Sequence, residues 1–461
     1  SAGAVNAVTK SGTNEFHGDL FEFVRNKVFN ARNAFALQRD GLKRNQFGGV
    51  IGGPIIKNKL FFFGGYQGTL ERSEPTESRA YVPTPAMLAG DWTAIASPAC
   101  NTGRQITLRT PFASNRIDPA LFSKPALELV KRLAVPDNPC GEIRFGRKQN
   151  SDEHVFIGKM DYQWSQKHSL FSRYQLNHLF IPTNYDGKNL VSVSEADFLR
   201  QPHEIVLGDT YSFSPNMVSS FRGTLLRPTS EKTSQDFFTL ADLGAKTYHP
   251  PEVPKIPNVS VAGEFSMFGG TAVPAITNST VYQFAEDLSL VRSAHQFGLG
   301  VNFIHQMMNN SSNSTAPGQI NFTAQQTGRA LGDFMLGRAS AFQQQNPTTY
   351  YYRQNYTGLY VQDTWKATKR LTVNAGLRWE PLTSMYDGIG RTLFFSQEAF
   401  DKNIRSTVYK NAPVGLLFPG DAGYPFGNSK SIGPSALLHF APRLGLALDP
   451  HGDGRIAIRA A

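Results

Sequence analysis

Residues 157–178 read IGKMDYQWSQKHSLFSRYQLNH, and their alternation decides the fold. Phe156, Gly158, Met160 and Tyr162 fall on one face of an extended chain, and Lys159, Asp161 and Gln163 on the other. Beyond the polar stretch 165–168, Leu170, Tyr174 and Leu176 oppose Arg173, Gln175 and Asn177. Period-two patterning on both sides of a short turn predicts two antiparallel strands, each with one apolar and one polar face.

The unit recurs along the chain. GGVIGGPII turns at Lys57-Asn58-Lys59 into LFFFGGYQG, and HEIVLGDTYSF turns at Ser214-Pro215-Asn216 into MVSSFRGTLL. VYQFAEDLSLV leads into HQFGLGVNFIHQ, TGLYVQDTW into RLTVNAGLRWE, and APRLGLALD into RIAIRA. With NEFHGDLFEFVRN at the start, this predicts about 13 strands of roughly 9–13 residues. Ten residues at ~3.3 Å each, tilted about 40°, rise ~25 Å, the height of an outer-membrane apolar band.

Turn lengths alternate. The hairpin turns are short, whereas the other connections span 26–45, 71–152, 180–202, 228–279, 308–354 and 382–438. Long loops at one end and tight turns at the other are expected of an outer-membrane barrel, and a soluble sandwich spreads loop length over both ends. Trp164 and Trp365 each close a strand before a tight turn, and Trp379 sits near the far end of its own. Tryptophans placed so suit a membrane-interface girdle, though a Trp also caps ordinary cores.

Composition bounds the reading. Of 461 residues, 18% are charged and 12% aromatic, too aromatic and too weakly charged for a disordered chain. No run approaches a transmembrane helix, and mean hydropathy is −0.31. The net charge of +10 comes without a basic block or basic helix, so nucleic acid is not an expected partner. Ser1-Ala2-Gly3-Ala4 has neither the charged nor the apolar region of a signal peptide, so the chain is either cytosolic or begins downstream of its native start. Cys100 and Cys140 both fall in the longest connection, where a disulfide is expected and two unpaired thiols are the alternative. Between them PALFSKPALELVKRLAV, 119–135, has the spacing of a short amphipathic helix.

These stretches resemble a known family. AVNAVTKSGTNEFHGDLFEF is similar to the end of the plug and the first barrel strand of TonB-dependent outer-membrane receptors. RNQFGGVIGGPIIKNKLFFFGGYQG, DYQWSQKHSLFSRYQ, LYVQDTWKATKRLTVNAGLRWEP and FAPRLGLALDPHGDGRIAIRA resemble the Oar-like members, which carry a carboxypeptidase-regulatory-like domain upstream. The resemblance implies an all-β fold: a transmembrane antiparallel β-barrel of about 22 strands around a plug. Residues 1–14 would then end the plug, and 15–461 would form an incomplete, N-terminal part of the barrel. It also implies outer-membrane localisation, energised uptake of a scarce, large ligand, and a TonB partner that engages a segment outside this chain. Lipid and lipopolysaccharide would surround a monomeric complete barrel. Two open edges would leave several backbone groups facing hydrocarbon, at several kcal/mol each, so this segment alone is not expected to be a stable membrane protein.

No enzyme signature competes. Asp449 to Gly454 is partly like a calcium loop, but Ala460 stands where the loop needs Glu, and a turn explains its Asp, Pro and Gly. Gly48-Gly49 and Gly52-Gly53 lack the strand-to-helix context of a phosphate cradle. The histidines show neither HExxH spacing nor a GxSxG partner, so no catalytic residue, cofactor or metal is expected. The candidates are therefore of other kinds. Lys159, Asp161, Arg173, Gln175, Thr372, Asn374, Arg378 and Glu380 would face the lumen, either as solvated lining or touching ligand. Trp92, Tyr350, Tyr351, Tyr352, Phe394 and Phe395 are loop aromatics, expected to be exposed, that either contact ligand or pack the loops together. The competing functional readings are a passive porin-like channel and a secreted all-β adhesin or binding module.

Overall fold

A computed structural model describes residues 8–460 except 32–40, 74–75, 148, 194, 270–272, 313, 427–428 and 453–454. The wall is one antiparallel sheet of thirteen consecutive strands. They are β1 (His17–Asn26), β2 (Lys43–Ile56), β3 (Leu60–Arg72), β4 (Ser151–Ser165), β5 (His168–Ile181), β6 (Asp197–Ser214) and β7 (Met217–Thr233). Then follow β8 (Ala275–Arg292), β9 (His295–Ser312), β10 (Thr349–Lys366), β11 (Leu371–Trp379), β12 (Phe440–Leu448) and β13 (Ile458–Ala460). A two-residue strand, Tyr386–Asp387, pairs with β10 off this path. Each strand pairs with its sequence neighbour, and β1 and β13 are not paired with each other.

Strands β4 to β10 run 14 to 18 residues, longer than the expected 9–13. The surplus lies at the long-connection end. Backbone pairing there continues for as long as the neighbour supplies partners, whatever the hydrophobic pattern does. At the other end bulges break the register just before three tight turns, at Pro54/Ile56, Gln163/Ser165 and Ser212/Ser214. Asn58, in the first turn, takes the left-handed backbone (φ 61°) that Asn tolerates better than most residues.

The two faces of the sheet differ as the alternation requires. Met160, Ile205, Leu207, Phe284, Leu299, Val361 and Leu377 are exposed on what we call the outer face. The inner face is identified by residues 8–13, which lie against it. Lys159 Nζ donates to Ser11 Oγ (2.6 Å) and Arg173 to Thr9 Oγ1 (3.3 Å). Gly12 is pressed on the backbone of β2 and β3, where a Cβ would come within 2.3 Å of the Phe62 carbonyl oxygen.

The long connections form a second body with an ordinary buried core. Trp92, Ile95 and Leu129 from the β3–β4 connection pack with Val191 from β5–β6, Ile256 and Phe268 from β7–β8, and Leu331 and Met335 from β9–β10. We call this body the cap. A small sheet crosses it, in which Asn258–Val261 pairs parallel with Gln319–Phe322. The helix expected over 119–135 is shorter: a 3-10 turn at Pro119–Leu121, then α1 (Lys124–Val130), which buries Ala126 and Leu129. Pro119 and Pro125 each open a segment, and Phe122 between them is extended, so one continuous helix does not form.

Candidate functional site

The inner face carries a belt of charged and hydroxyl groups that joins strand to strand. On β4 and β5, Lys159 pairs with Asp161 (3.0 Å), and Arg173 reaches Glu204 on β6 (3.0 Å). Gln175 stands in register with Glu204 on that face. On β7 and β8, Arg222 lies 3.6 Å from Asp287. Tyr360 on β10 donates to the same carboxylate at 2.7 Å, crossing β9 to do so. That crossing needs Gly300, since a Cβ there would come within 2.1 Å of the Tyr360 ring. Gly208 has the same role under Phe171, where a Cβ would come within 1.9 Å of the ring.

The belt closes on β10 and β11. Arg378 is ion-paired to Glu380, its Nη2 donates to Tyr356 Oη (2.8 Å), and Tyr356 in turn donates to Glu380. Nearer the tight turns, Thr364 Oγ1 donates to Asn374 Oδ1 (2.9 Å), and Thr372 shares the strand face of Asn374. Arg222, Gln283, Asp287, Asn302, Tyr360 and Arg378 help to line an open hollow of about 270 Å³. The eight lumen candidates therefore lie on one face. Glu204, Arg222, Asp287, Tyr356 and Tyr360 complete the belt and were not singled out from sequence. The signal was present, since each keeps the alternation of its strand.

The loop aromatics do not form a common site. Trp92, expected to be exposed, is fully buried in the cap, its Nε1 donating to the Met87 carbonyl (3.1 Å) and its ring edge-on to Phe112. Tyr350, Tyr351 and Tyr352 are not loop residues but the upper end of β10. Alternation separates Tyr351 from Tyr350 and Tyr352, whose rings stack at 5.5 Å, and Arg391 lies 5.8 Å from both the Tyr350 and Tyr351 rings. Phe394 and Phe395 are exposed on a separate small unit in the β11–β12 connection, built on Ala399, Leu417 and Tyr424. Trp164 and Trp365 lie on the outer face by the tight turns, and Trp379 Nε1 donates to the Leu437 carbonyl at the opposite end.

The cap is cross-braced. Cys100 and Cys140 are joined in a disulfide. Arg329 pairs with buried Glu264 (Nε–Oε1 2.9 Å) and donates to Asn101 Oδ1 (3.1 Å), so three connections meet at one guanidinium. Burial pushes the Glu264 carboxyl above its ordinary value, with Arg329 opposing the shift.

Comparison with known proteins adds the following. The family described as "Outer membrane beta barrel domain" matches residues 8–461. The chain belongs to that family. This outer-membrane barrel is 35% identical over 86 residues to the TonB-dependent transporter Oar of Myxococcus xanthus, covering 17% of this chain and 8% of that protein. Among solved structures it is similar to the ferric enterobactin receptor PfeA of Pseudomonas aeruginosa, with TM-score 0.42, 11% identity, 98% of this chain and 44% of that one. It is also similar to the outer membrane transporter YddB of Escherichia coli, with TM-score 0.41, 8% identity, and 89% and 37% of the two chains. The chain thus spans less than half the length of these relatives, which are transporters and receptors. Its place is the outer membrane.

Proposed function

We propose that residues 1–14 are the exit of a plug, and residues 15–461 part of the barrel, of a TonB-dependent receptor. The receptor takes up a large or scarce solute of the oligosaccharide, siderophore or peptide class. TonB engages a segment N-terminal to Ser1. The observation that carries this reading is the seating of residues 8–13 against the inner face, through Ser11 to Lys159 and Thr9 to Arg173. A chain that runs inside the wall before entering β1 is what a plugged barrel needs and an empty channel does not.

The polar belt then serves two partners. It solvates the lumen, and it holds the plug through hydrogen bonds that exchange with water when the plug is pulled. The test is solute-dependent growth of a deletion strain complemented with the complete gene, with and without a functional TonB complex. Growth lost in both the deletion and the TonB-deficient strain is expected. Uptake that persists without TonB would make the protein a passive channel.

A further inference from the structure

The net charge of +10 is not spread evenly along the chain. The long connections carry acids and bases in nearly equal number, and the tight turns do not. From Lys57 to Lys59, Ser165 to His168, Ser214 to Met217, Arg292 to His295 and Lys366 to Arg370, seven Lys or Arg stand without one Asp or Glu. The turn after β12 departs from this, with Asp449 and Asp453 beside Arg455.

The basic turns form one continuous rim, because each is hydrogen-bonded to the next. Gln163 N donates to the Lys59 carbonyl (2.7 Å), Ser212 N to that of Lys167 (2.8 Å), Val291 N to that of Asn216 (2.8 Å) and Lys366 N to that of Ala294 (2.8 Å). Ser214-Pro215-Asn216 carries no charge, so it divides the cations into two sectors. Lys57, Lys59 and Lys167 make the first. Arg292, Lys369 and Arg370 make the second, while Lys366, in register with Thr372, keeps the parity of the inner face. All six are exposed, and none forms an ion pair among the described residues. The nearest carboxylates, Asp161, Asp209 and Asp363, are already held by Lys159, His168 and His295.

Each sector stands just beyond an outer-face tryptophan. Trp164 is 62% exposed and precedes Lys167, and Trp365 is 41% exposed and precedes Lys369. Lys59 Nζ lies 5.7 Å from the ring of Tyr162 on that same face, and Arg292 shares the face of Leu288 and Leu290 by alternation. Phe213 continues the apolar edge through the uncharged turn. Like charges held side by side repel, and the chain supplies nothing to offset them. Apolar rings at the edge of the wall, with cations one layer further out, place those cations at the depth of lipid phosphates. The same order on both sides of a neutral turn suits a continuous anionic surface, since one docked protein would have to match its acids to both sectors.

We propose that the two sectors bind phosphatidylglycerol of the periplasmic leaflet, a phosphate diester whose head carries one negative charge and no ammonium. The lysine and arginine groups donate to its phosphate oxygens, and the tryptophans lie against the glycerol and upper acyl chain. Phosphatidylethanolamine brings an ammonium of its own, which these cations repel. The proposal rests on the reading that the outer face meets lipid and the tight turns face the periplasm.

The test uses the complete receptor in detergent, offered equal amounts of phosphatidylglycerol and phosphatidylethanolamine of matched chains, with native mass spectrometry counting the lipid retained. The wild type is expected to keep phosphatidylglycerol about fivefold over phosphatidylethanolamine, the equivalent of ~1 kcal/mol from a cation at an anionic surface. The preference should shrink as salt rises. Lys57→Gln with Lys59→Gln and Lys167→Gln should remove about half of the bound phosphatidylglycerol, and Arg292→Gln with Lys369→Gln and Arg370→Gln the other half. Lys131→Gln with Lys188→Gln, in the long connections, should change nothing. Equal retention of the two lipids by the wild type would overturn the proposal, as would an unchanged preference in the combined six-site variant whose heat-modifiable gel migration shows a folded barrel. Binding to purified peptidoglycan that phosphatidylglycerol vesicles do not displace would also overturn it, by assigning the rim to the cell wall. If spin labels at Leu207 meet lipid while the wild type shows no preference, the barrel reading stands and this proposal alone fails.

Discussion

The wall and the cap apply the hydrophobic effect in opposite senses. In the wall, Leu207 and Val361 are exposed while Arg173 and Asp287 lie on the inner face, the arrangement a wall between lipid and lumen requires. In the cap, Trp92, Ile256 and Leu331 are buried as in any soluble domain, and the deep Arg329–Glu264 ion pair is braced from three connections. Which residues may change is therefore decided by which body they belong to. A polar substitution at an apolar position damages the wall by facing lipid and the cap by facing its core.

Several variants of the complete receptor would break or sharpen this contrast. The largest effect is expected from Arg329→Met, which leaves Glu264 buried and uncompensated. The cap should lose about 3–5 kcal/mol while the wall keeps its heat-modifiable gel migration, and hydrogen exchange in the two bodies reads both. Removing the disulfide with Cys100→Ser and Cys140→Ser should destabilise the same body by about 2–4 kcal/mol, detected as faster proteolysis of the long connections. Leu207→Arg, placed between His203 and Asp209 on the outer face, should cost about 2–4 kcal/mol in barrel unfolding, whereas Gln175→Arg on the inner face should be tolerated. Gly300→Val should displace the Tyr360 ring and lose about 1–3 kcal/mol, with the loss of the Tyr360–Asp287 bond visible in the structure of the variant.

Acidity separates two loop carboxylates by sign, with the smallest expected effect. Burial opposes ionisation of Asp421, but hydrogen bonds from Ser406, Phe418 and Thr407 override it and hold the carboxyl far below its usual range. Its stabilisation is present above about pH 4 and is lost as pH falls through the depressed folded value, so the β11–β12 unit should loosen in acid. Glu264 is shifted the other way. Its contribution is present below about pH 4 and is lost as pH rises through the raised value. Hydrogen exchange of segments 396–424 and 258–267 between pH 3 and 7 reads both, and the same sign in the two segments would contradict the account.

Much of the wall was legible because its rule is local. Lys159 and Met160 declare their faces by position alone, and so do Arg378 and Leu377. The strand ends were not legible, since the 18 residues of β10 outlast the apolar pattern by pairing with β9. Trp92 was misplaced because an aperiodic connection gives no sign of what packs on it. Its immediate neighbours, Met87 and Phe112, share its connection, but the core around them is completed by residues 190–335 from three other connections. The Glu264–Arg329–Asn101 brace and the reach of Tyr360 over Gly300 are likewise contacts between strands or loops that no single stretch of sequence contains.

The most direct measurement is the depth and polarity of spin labels on single cysteines introduced into the complete receptor. Labels at Leu207, Phe284 and Val361 should collide with oxygen and be shielded from a nickel chelate, and labels at Thr224, Gln283 and Gln362 should show the reverse. Chelate access at the first set, or shielding of both sets from either reagent, would contradict a wall that stands between lipid and lumen.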